Sequence, residues 1–551
     1  MSRTVAQTIV DALIAANVTH AFAVPGESYL AVLDALHDVR DRLRLVTCRH
    51  EAAAANMAEA YGKLRGTPGV AMVTRGPGAT HAAIGLHTAQ QDSTPMLLLV
   101  GQVGTDMLGR EAFQEVDYTA VFGTIAKRVI TIDRPDRTAE LMAAALSAAA
   151  SGRPGPVVVV LPEDQLSEPA VHPAVAPARI APPAPDAAAL AEIHARLAAA
   201  QRPLLLLGGP GVSAQQVADA CRFAEAWQMP VVTSWRRKDR FDNRHPLYAG
   251  ELGLGANPAL VTRVKAADLL LCVGARLGEN PSQAYTLFTP ESAARTLVHI
   301  HPDPLALGRV WQPALALHAD IGATLSALAK LLPCEAGEVA RAQRVTEGAR
   351  ADYLAWTTPT SVQSGPNPAA IIAHLSETLP ADTIFANGAG NFAAWLHRFH
   401  HHRAAGTQLA PTSGAMGYGV PAGIAAAILH PDRTVVVVAG DGDFLMSGNE
   451  LATCAHEDAR PIFVVLDNGQ YGTIRMHQAR DFSGRQSGTR LTNPDFAAFA
   501  RSFGLHGETV TTTGAFPDAL ARARAAGSAA LIHILTDPQE IGPGRRLADG
   551  A

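Results

Sequence analysis

Two oxygen-bearing side chains stand where an apolar run gives way to glycine. Residues 435–439 read Val-Val-Val-Val-Ala and run into Gly440-Asp441-Gly442-Asp443-Phe444, while the apolar run 462–466 ends in Asp467-Asn468-Gly469-Gln470. Each run reads as a buried strand, and the stretch 447–455 between them as a helix. In an open parallel sheet, ligands bind outside the carboxyl ends of the strands, so both turns belong to one edge. Asp441 and Asn468, 27 residues apart, then offer two hard oxygen donors, and the glycines let backbone approach a ligand closely. Such donors beside a helix N-terminus suit a divalent cation that bridges to a diphosphate. Gly-Asp-Gly is also an ordinary turn sequence, and alone it implies no more than a turn.

The elements that position these groups follow from the rest of the chain. Thr4 reads as the N-cap of a helix whose apolar face is Val5, Ile9, Ala12, Leu13 and Ala16. A strand-like run at 20–24 ends in Pro25-Gly26-Glu27, and strand patterns at 69–74, 96–100 and 156–161 alternate with a helical pattern at 79–90. Continuous Val/Leu runs separated by helices indicate buried parallel strands. Six prolines within 169–185 mark a semi-rigid linker. Further strands are expected at 203–207, 231–233, 268–273 and 297–300, and Ser364-Gly365-Pro366-Asn367-Pro368 marks a second break. At about 150 residues per domain, 551 residues fit three α/β domains, placed at 1–168, 186–335 and 360–540. No short-period repeat is visible.

Composition narrows the class. With 48% hydrophobic and 17% charged residues the chain is globular rather than disordered. A net charge of −5 supplies no basic field for nucleic acid, and no apolar run reaches membrane-span length. Five scattered cysteines fit neither a disulfide framework nor a zinc ribbon, and Met1-Ser2-Arg3-Thr4 leads straight into a helix, so a cytoplasmic protein is expected. His397, His400, His401 and His402, beside Arg398 and Arg403, read as a solvated helix end. Gly208-Gly209-Pro210-Gly211 lacks a full dinucleotide fingerprint.

The Gly-Asp-Gly followed by Asn after the next strand resembles the diphosphate motif of thiamine-diphosphate enzymes, and the resemblance widens to the acetolactate (acetohydroxyacid) synthase branch. It is carried by Arg49-His50-Glu51-Ala52-Ala53-Ala54, Ala58-Glu59-Ala60-Tyr61-Gly62, Thr74-Arg75-Gly76-Pro77-Gly78-Ala79-Thr80, Gly101-Gln102-Val103, Ala112-Phe113-Gln114-Glu115, Gly152-Arg153-Pro154-Gly155-Pro156-Val157 and Ser413-Gly414-Ala415-Met416-Gly417-Tyr418-Gly419-Val420-Pro421. It implies three Rossmann-like parallel-sheet domains: pyrimidine-binding, central and diphosphate-binding. It makes Glu51 the carboxylate on the coenzyme's aminopyrimidine, promoting removal of the thiazolium C2 proton. Met416 becomes the residue that bends the coenzyme, and the Gly414 carbonyl the partner of its amino group. Asp441 and Asn468 side chains with the Gln470 carbonyl become the Mg2+ ligands, while Gly390, Asn391, Gly442 and Asp443 become diphosphate contacts. Phe113 and Gln114 fall near the substrate, with Gly26, His81 and His477 as further pocket candidates. The resemblance also implies a homodimer or homotetramer, with Glu51 of one chain serving coenzyme held by another.

Several positions depart from the synthase pattern. Asp467 replaces the first Asn of an Asn-Asn pair, and His477 stands where biosynthetic synthases carry a tryptophan that favours 2-ketobutyrate. Gly274-Ala275-Arg276-Leu277-Gly278-Glu279-Asn280 begins like the flavin-binding segment and then loses its Phe-Asp-Asp, and Glu163 stands where a lysine is usual. FAD as a cofactor is therefore left open, with the changed segment weighing against it. The expected reaction is decarboxylation of a small 2-oxo acid with carboligation, two pyruvates giving acetolactate and CO2. The alternatives are a related decarboxylase or carboligase with another acceptor, a non-catalytic coenzyme-binding homologue and a nicotinamide oxidoreductase.

Overall fold

The computed structural model describes residues 3–178 and 180–547. Three six-stranded sheets follow one another along the chain, every strand pairing in parallel. The first runs, edge to edge, Arg44–Thr47, His20–Ala23, Gly69–Val73, Met96–Gln102, Pro156–Pro162, Arg128–Thr131. The third runs Gln408–Leu409, Ile384–Asn387, Val435–Gly440, Ile462–Asp467, Ala530–Leu535, His506–Val510. Taken in chain order, both follow the sequence second, first, third, fourth, sixth, fifth. The central sheet differs: Leu315–His318, Leu297–His301, Leu269–Val273, Pro203–Leu207, Val231–Ser234, Tyr248–Leu252. Its halves wind outward from Pro203–Leu207 and Leu269–Val273, the strand order of a dinucleotide-binding sheet with a crevice at the reversal point.

The runs that read as continuously apolar, such as Pro156–Pro162 and Val435–Gly440, are buried along their whole length, as strands covered by helices on both faces must be. Thr4 caps helix Val5–Ala15 with a reciprocal capping box to Gln7. Among its described residues, the proline-rich segment carries no helix or strand, apart from a bridge between Thr4 and Pro169. Two expectations are adjusted. The helix expected at 79–90 spans Gly76–Asp92, with Gly76-Pro77-Gly78 as its first turn, where proline's missing N–H is tolerated. The stretch 447–455 is not one helix: helix Asp441–Leu445 starts at once after the strand, with a 3-10 turn Gly448–Glu450 and helix Leu451–His456 behind it.

The first and third domains share a core. Helix Glu51–Arg65 packs on helix Gly419–Leu429, and Ala54, Ala55 and Ala58 of one belong to the same buried cluster as Ala422, Ala425 and Ala426 of the other. Side chains this small bring two helix backbones close while keeping strong helix propensity. Across the seam, buried Tyr418 donates to the Glu59 carboxylate at 2.6 Å, and Glu450 accepts from Arg49 N at 3.0 Å.

Candidate functional site

At the carboxyl edge of the third sheet, four strand-end segments close around a cavity of about 250 Å3. Gly390, Asn391, Gly414, Met416, Asp441, Gly442, Asp443, Asn468 and Gln470 all line it, so every coenzyme and cation position expected in this domain meets in one place. Asp441 is the first residue of its helix, directly after the strand, so its carboxylate and the free helix N–H groups face the same space. Asn468 Oδ1 accepts from Gln470 N at 3.2 Å, and the Gln470 carbonyl accepts from Gly472 N at 2.9 Å, which fixes both oxygens in the turn. Gly442 is bare for a reason: a Cβ there would lie 2.6 Å from Tyr471 Cε1.

Burial dominates the charges of this edge. Asp441 is pushed up to about 6 by burial, with the nearby Asp467 adding to the shift. Asp467 is buried too, but hydrogen bonds from His533 Nε2 (2.9 Å), Gly469 N (2.9 Å) and Asn493 Nδ2 (2.8 Å) hold it below the usual carboxylate range. Asn493 also donates to Asp441 Oδ2 at 2.7 Å, so one amide clamps both acids. Asp443 Oδ1 accepts from Gly417 N at 2.9 Å and Ala389 N at 3.1 Å, tying three cavity loops together, and burial lifts the carboxyl to about 7. Arg236 of the central domain donates to the carbonyls of Gly388 and Pro411 behind these loops.

Glu51 opens helix Glu51–Arg65 at the carboxyl edge of the first sheet, and its Oε2 accepts from His81 Nδ1 at 2.9 Å. Gln114 has a φ of 65°, and its carbonyl accepts from Gly76 N at 3.0 Å. Phe113 beside it is 74% exposed. Gly26 lies against Thr74, where a Cβ would sit 2.6 Å from Thr74 Cβ. None of these five residues lines the C-terminal cavity. His477 is exposed on helix Gly472–Asp481, outside the cavity; Thr473 and Ile474, one turn before it, form part of the cavity wall.

A larger cavity, about 630 Å3, lies at the carboxyl edge of the central sheet, lined by Arg153, Arg237, Arg276 and Arg309 together with Trp235 and Trp311. Gly209 and Pro210 reach it from the first turn of that sheet. The histidine group is not a solvated helix end. His400 is 5% and His402 3% exposed, and burial pushes both rings well below their ordinary range. They are held by neighbours distant in sequence: buried Lys238 donates to the His400 carbonyl at 2.5 Å, and Asn243 Oδ1 accepts from His402 N at 2.9 Å. Asn493, Thr473, whose hydroxyl donates to Asn391 Oδ1 at 2.8 Å, and Arg236 were not legible as site residues. Thr473 had a signal, since it directly follows the Asn468 turn, whereas Asn493 and Arg236 lie in irregular segments.

Parallel sheets with donor-lined carboxyl edges, in this order, define a thiamine-diphosphate enzyme. The chain matches the thiamine pyrophosphate enzyme models for the N-terminal TPP binding domain at 3–121, the central domain at 190–328 and the C-terminal TPP binding domain at 388–534. Within that class it belongs to the acetolactate synthase large-subunit family. It is 33% identical over 540 residues to the acetolactate synthase isozyme 2 large subunit of Escherichia coli, covering 97% of this chain and 96% of that one. It is 32% identical to the acetolactate synthase large subunit of Parasynechococcus marenigrum (92% and 83% covered), and 30% identical to a probable large subunit of Methanocaldococcus jannaschii (99% and 94% covered). Among the described residues, no helix is long and apolar enough to cross a membrane.

Proposed function

We propose that the enzyme decarboxylates one pyruvate and joins the remaining two-carbon unit to a second, giving acetolactate and CO2, with thiamine diphosphate and Mg2+ bound. The observation that carries this reading is the single cavity that gathers Asp441, Asn468 and Gln470 with Gly390, Gly440 and Gly442. Hard oxygen donors beside a helix N-terminus fit a divalent cation on a diphosphate. Asp441, Asn468 and the Gln470 carbonyl hold the cation; backbone N–H groups of Gly390, Gly442 and Asp443 and the Asn391 amide meet the diphosphate. The Gly414 carbonyl would hold the aminopyrimidine amino group, and Met416 would bend the coenzyme. When bound, the coenzyme supplies a nucleophilic carbon and an electron sink for decarboxylation. Glu51 holds or moves the proton at the aminopyrimidine, and Phe113 and Gln114 face the 2-oxo acid.

The active site spans two chains in this reading. The cavity is smaller than the roughly 300–1,000 Å3 of a ligand-sized pocket, and Glu51 is absent from its wall. A second copy that brings its Glu51 edge over this cavity completes the site and covers exposed Phe113, which makes a homodimer the minimum assembly and a tetramer of two such pairs an extension of it. The domain division 1–168, 186–335 and 360–540 leaves both edges intact. The central cavity, with four arginines, has the size and charge for a nucleotide diphosphate, while the residues after Arg276 lack the family's flavin segment. We expect an enzyme without stoichiometric FAD; a flavin absorption band at one equivalent per chain in freshly purified protein refutes this.

The decisive experiment is product analysis after incubation with a panel of 2-oxo acids and aldehydes, with thiamine diphosphate and Mg2+ supplied. Acetolactate from pyruvate alone is the expected result. Turnover only with a different donor or acceptor makes the chain a related carboligase or decarboxylase, and no turnover with any of them makes it a coenzyme-binding homologue.

A further inference from the structure

The proton-handling carboxylate has a neighbour of its own. Helix Gly76–Asp92 presents a bare Cα at Gly78 and, one turn on, the imidazole of His81. Glu51 fits between them. Its Oε2 accepts from His81 Nδ1 at 2.9 Å, and its Oε1 hangs over Gly78, where a Cβ would come within 3.4 Å. The imidazole is itself held: the His50 ring stacks on it at 4.6 Å between centroids, inclined by 29°. His50 in turn cannot swing freely, because its Nδ1 accepts the Ala52 N–H at 3.1 Å as the N-cap of Glu51's own helix. A carboxylate at the first position of a helix has three rotatable bonds and, unheld, many orientations. Here the Glu51 side chain is only 14% exposed, and one oxygen is engaged.

We propose that His81 is a positioning residue for Glu51, rather than a residue that contacts substrate. Its Nδ1–H holds one carboxylate oxygen, fixes the rotamer and leaves Oε1 as the oxygen presented to the coenzyme's aminopyrimidine. This rests on the reading of Glu51 as the proton-handling group. It deepens that reading, because the His50–His81–Glu51 arrangement pre-orients the acid before any coenzyme arrives.

The test uses three substitutions at residue 81. In His81→Asn the amide nitrogen stands where Nδ1 stands, so a donor to Glu51 survives. His81→Gln places its donor near the Nε2 position, and His81→Phe keeps the stack on His50 without any donor. The readouts are thiamine-diphosphate affinity by calorimetry with Mg2+, the rate of C2 proton exchange in the bound coenzyme by NMR, and KM for pyruvate. Loss of one hydrogen bond to a charged group predicts C2 exchange about 10- to 100-fold slower in His81→Phe and His81→Gln. Coenzyme affinity and KM stay at the wild-type level, and His81→Asn stays within about threefold of wild-type exchange. In the coenzyme-free protein, the hydrogen-bonded Nδ1–H resonance of His81 is expected in the wild type and lost in Glu51→Leu, which offers no acceptor.

Wild-type exchange in His81→Phe overturns the proposal, as does exchange in His81→Asn as slow as in His81→Phe, or a changed KM with unchanged exchange, which makes His81 a substrate contact. A separate control isolates the underlying reading: if Glu51→Gln itself exchanges as fast as wild type, the role given to Glu51 fails, whatever His81 does. Should His81→Phe fail to fold, His81→Gln and the Nδ1–H resonance decide the matter.

Discussion

Gly442→Ala tests whether the cavity is shaped as described. The new Cβ would lie 2.6 Å from Tyr471 Cε1, 3.0 Å from Cδ1 and 3.3 Å from Leu491 Cδ1. Ordinary carbon contacts are about 3.5–4.0 Å, so the ring has to recede by about 1 Å. The Tyr471 backbone is pinned, its N–H donating to Thr489 O at 2.8 Å, so the movement falls on the ring, and the open space nearest to it is the cavity. Without coenzyme the ring moves into that space with little strain. With coenzyme bound it has to return, and overpacking of this kind costs about 1–3 kcal/mol. Affinity for thiamine diphosphate should therefore fall about 5- to 150-fold, with the melting temperature of the coenzyme-free protein nearly unchanged. Calorimetric titrations of Gly442→Ala, Tyr471→Ala and the double variant form a thermodynamic cycle, and the double variant should bind about as well as Tyr471→Ala alone. A coupling energy below about 0.5 kcal/mol refutes the reasoning, because Gly442 and Tyr471 then do not compete for space.

Asp441→Ala should abolish Mg2+-dependent retention of thiamine diphosphate, since the two remaining oxygens carry no charge and already accept N–H groups within their turn; unchanged affinity by titration removes Asp441 from the ligand set. Burial, with His299 adding to it, pushes His301 down to about 4 from 6.5, so the neutral ring is favoured in the folded state. Its contribution to stability is whole above about pH 6.5 and is lost as pH falls through 4, up to about 3 kcal/mol. Urea midpoints at pH 7 and pH 4.5 should fall further apart for the wild type than for His301→Gln, and parallel behaviour would contradict this. His477→Trp, at the helix that walls the cavity, should shift acceptor preference toward 2-ketobutyrate by up to about tenfold; an unchanged product ratio in competition assays places residue 477 outside the acceptor's reach.

The strands buried on both faces were legible because continuous runs such as 156–161 have no other use in a folded chain. The edge strands were not. Leu315–His318 alternates half-buried and exposed positions over four residues, and Gln408–Leu409 spans two, too short for any period to show. At the site, Asp441 and Asn468, at strand ends, carried their spacing openly, whereas Glu51, at a helix start, was marked only by the resemblance of its motif. His400 and His402 were misread because neighbouring arginines suggest solvent, whereas the groups that bury them, Lys238 and Asn243, lie about 160 residues earlier. Asn493 gave no sign at all: its two carboxylate partners are brought to it only by the fold.

The seam between the two outer domains has a further meaning. Helix Glu51–Arg65 and helix Gly419–Leu429 each lie between the second and third strands of sheets with the same strand order, so like packs on like, an isologous contact within one polypeptide. By this shared strand order, the helix start at Gly76-Pro77-Gly78 is the topological counterpart of the one at Gly440-Asp441-Gly442, each the first helix after a third strand. One copy of the position presents Asp441 to its cavity, while the other sets a proline-containing first helical turn beside Glu51. On the proposed function, the two outer domains would divide a single coenzyme's chemistry between two like edges, each incomplete without the other's.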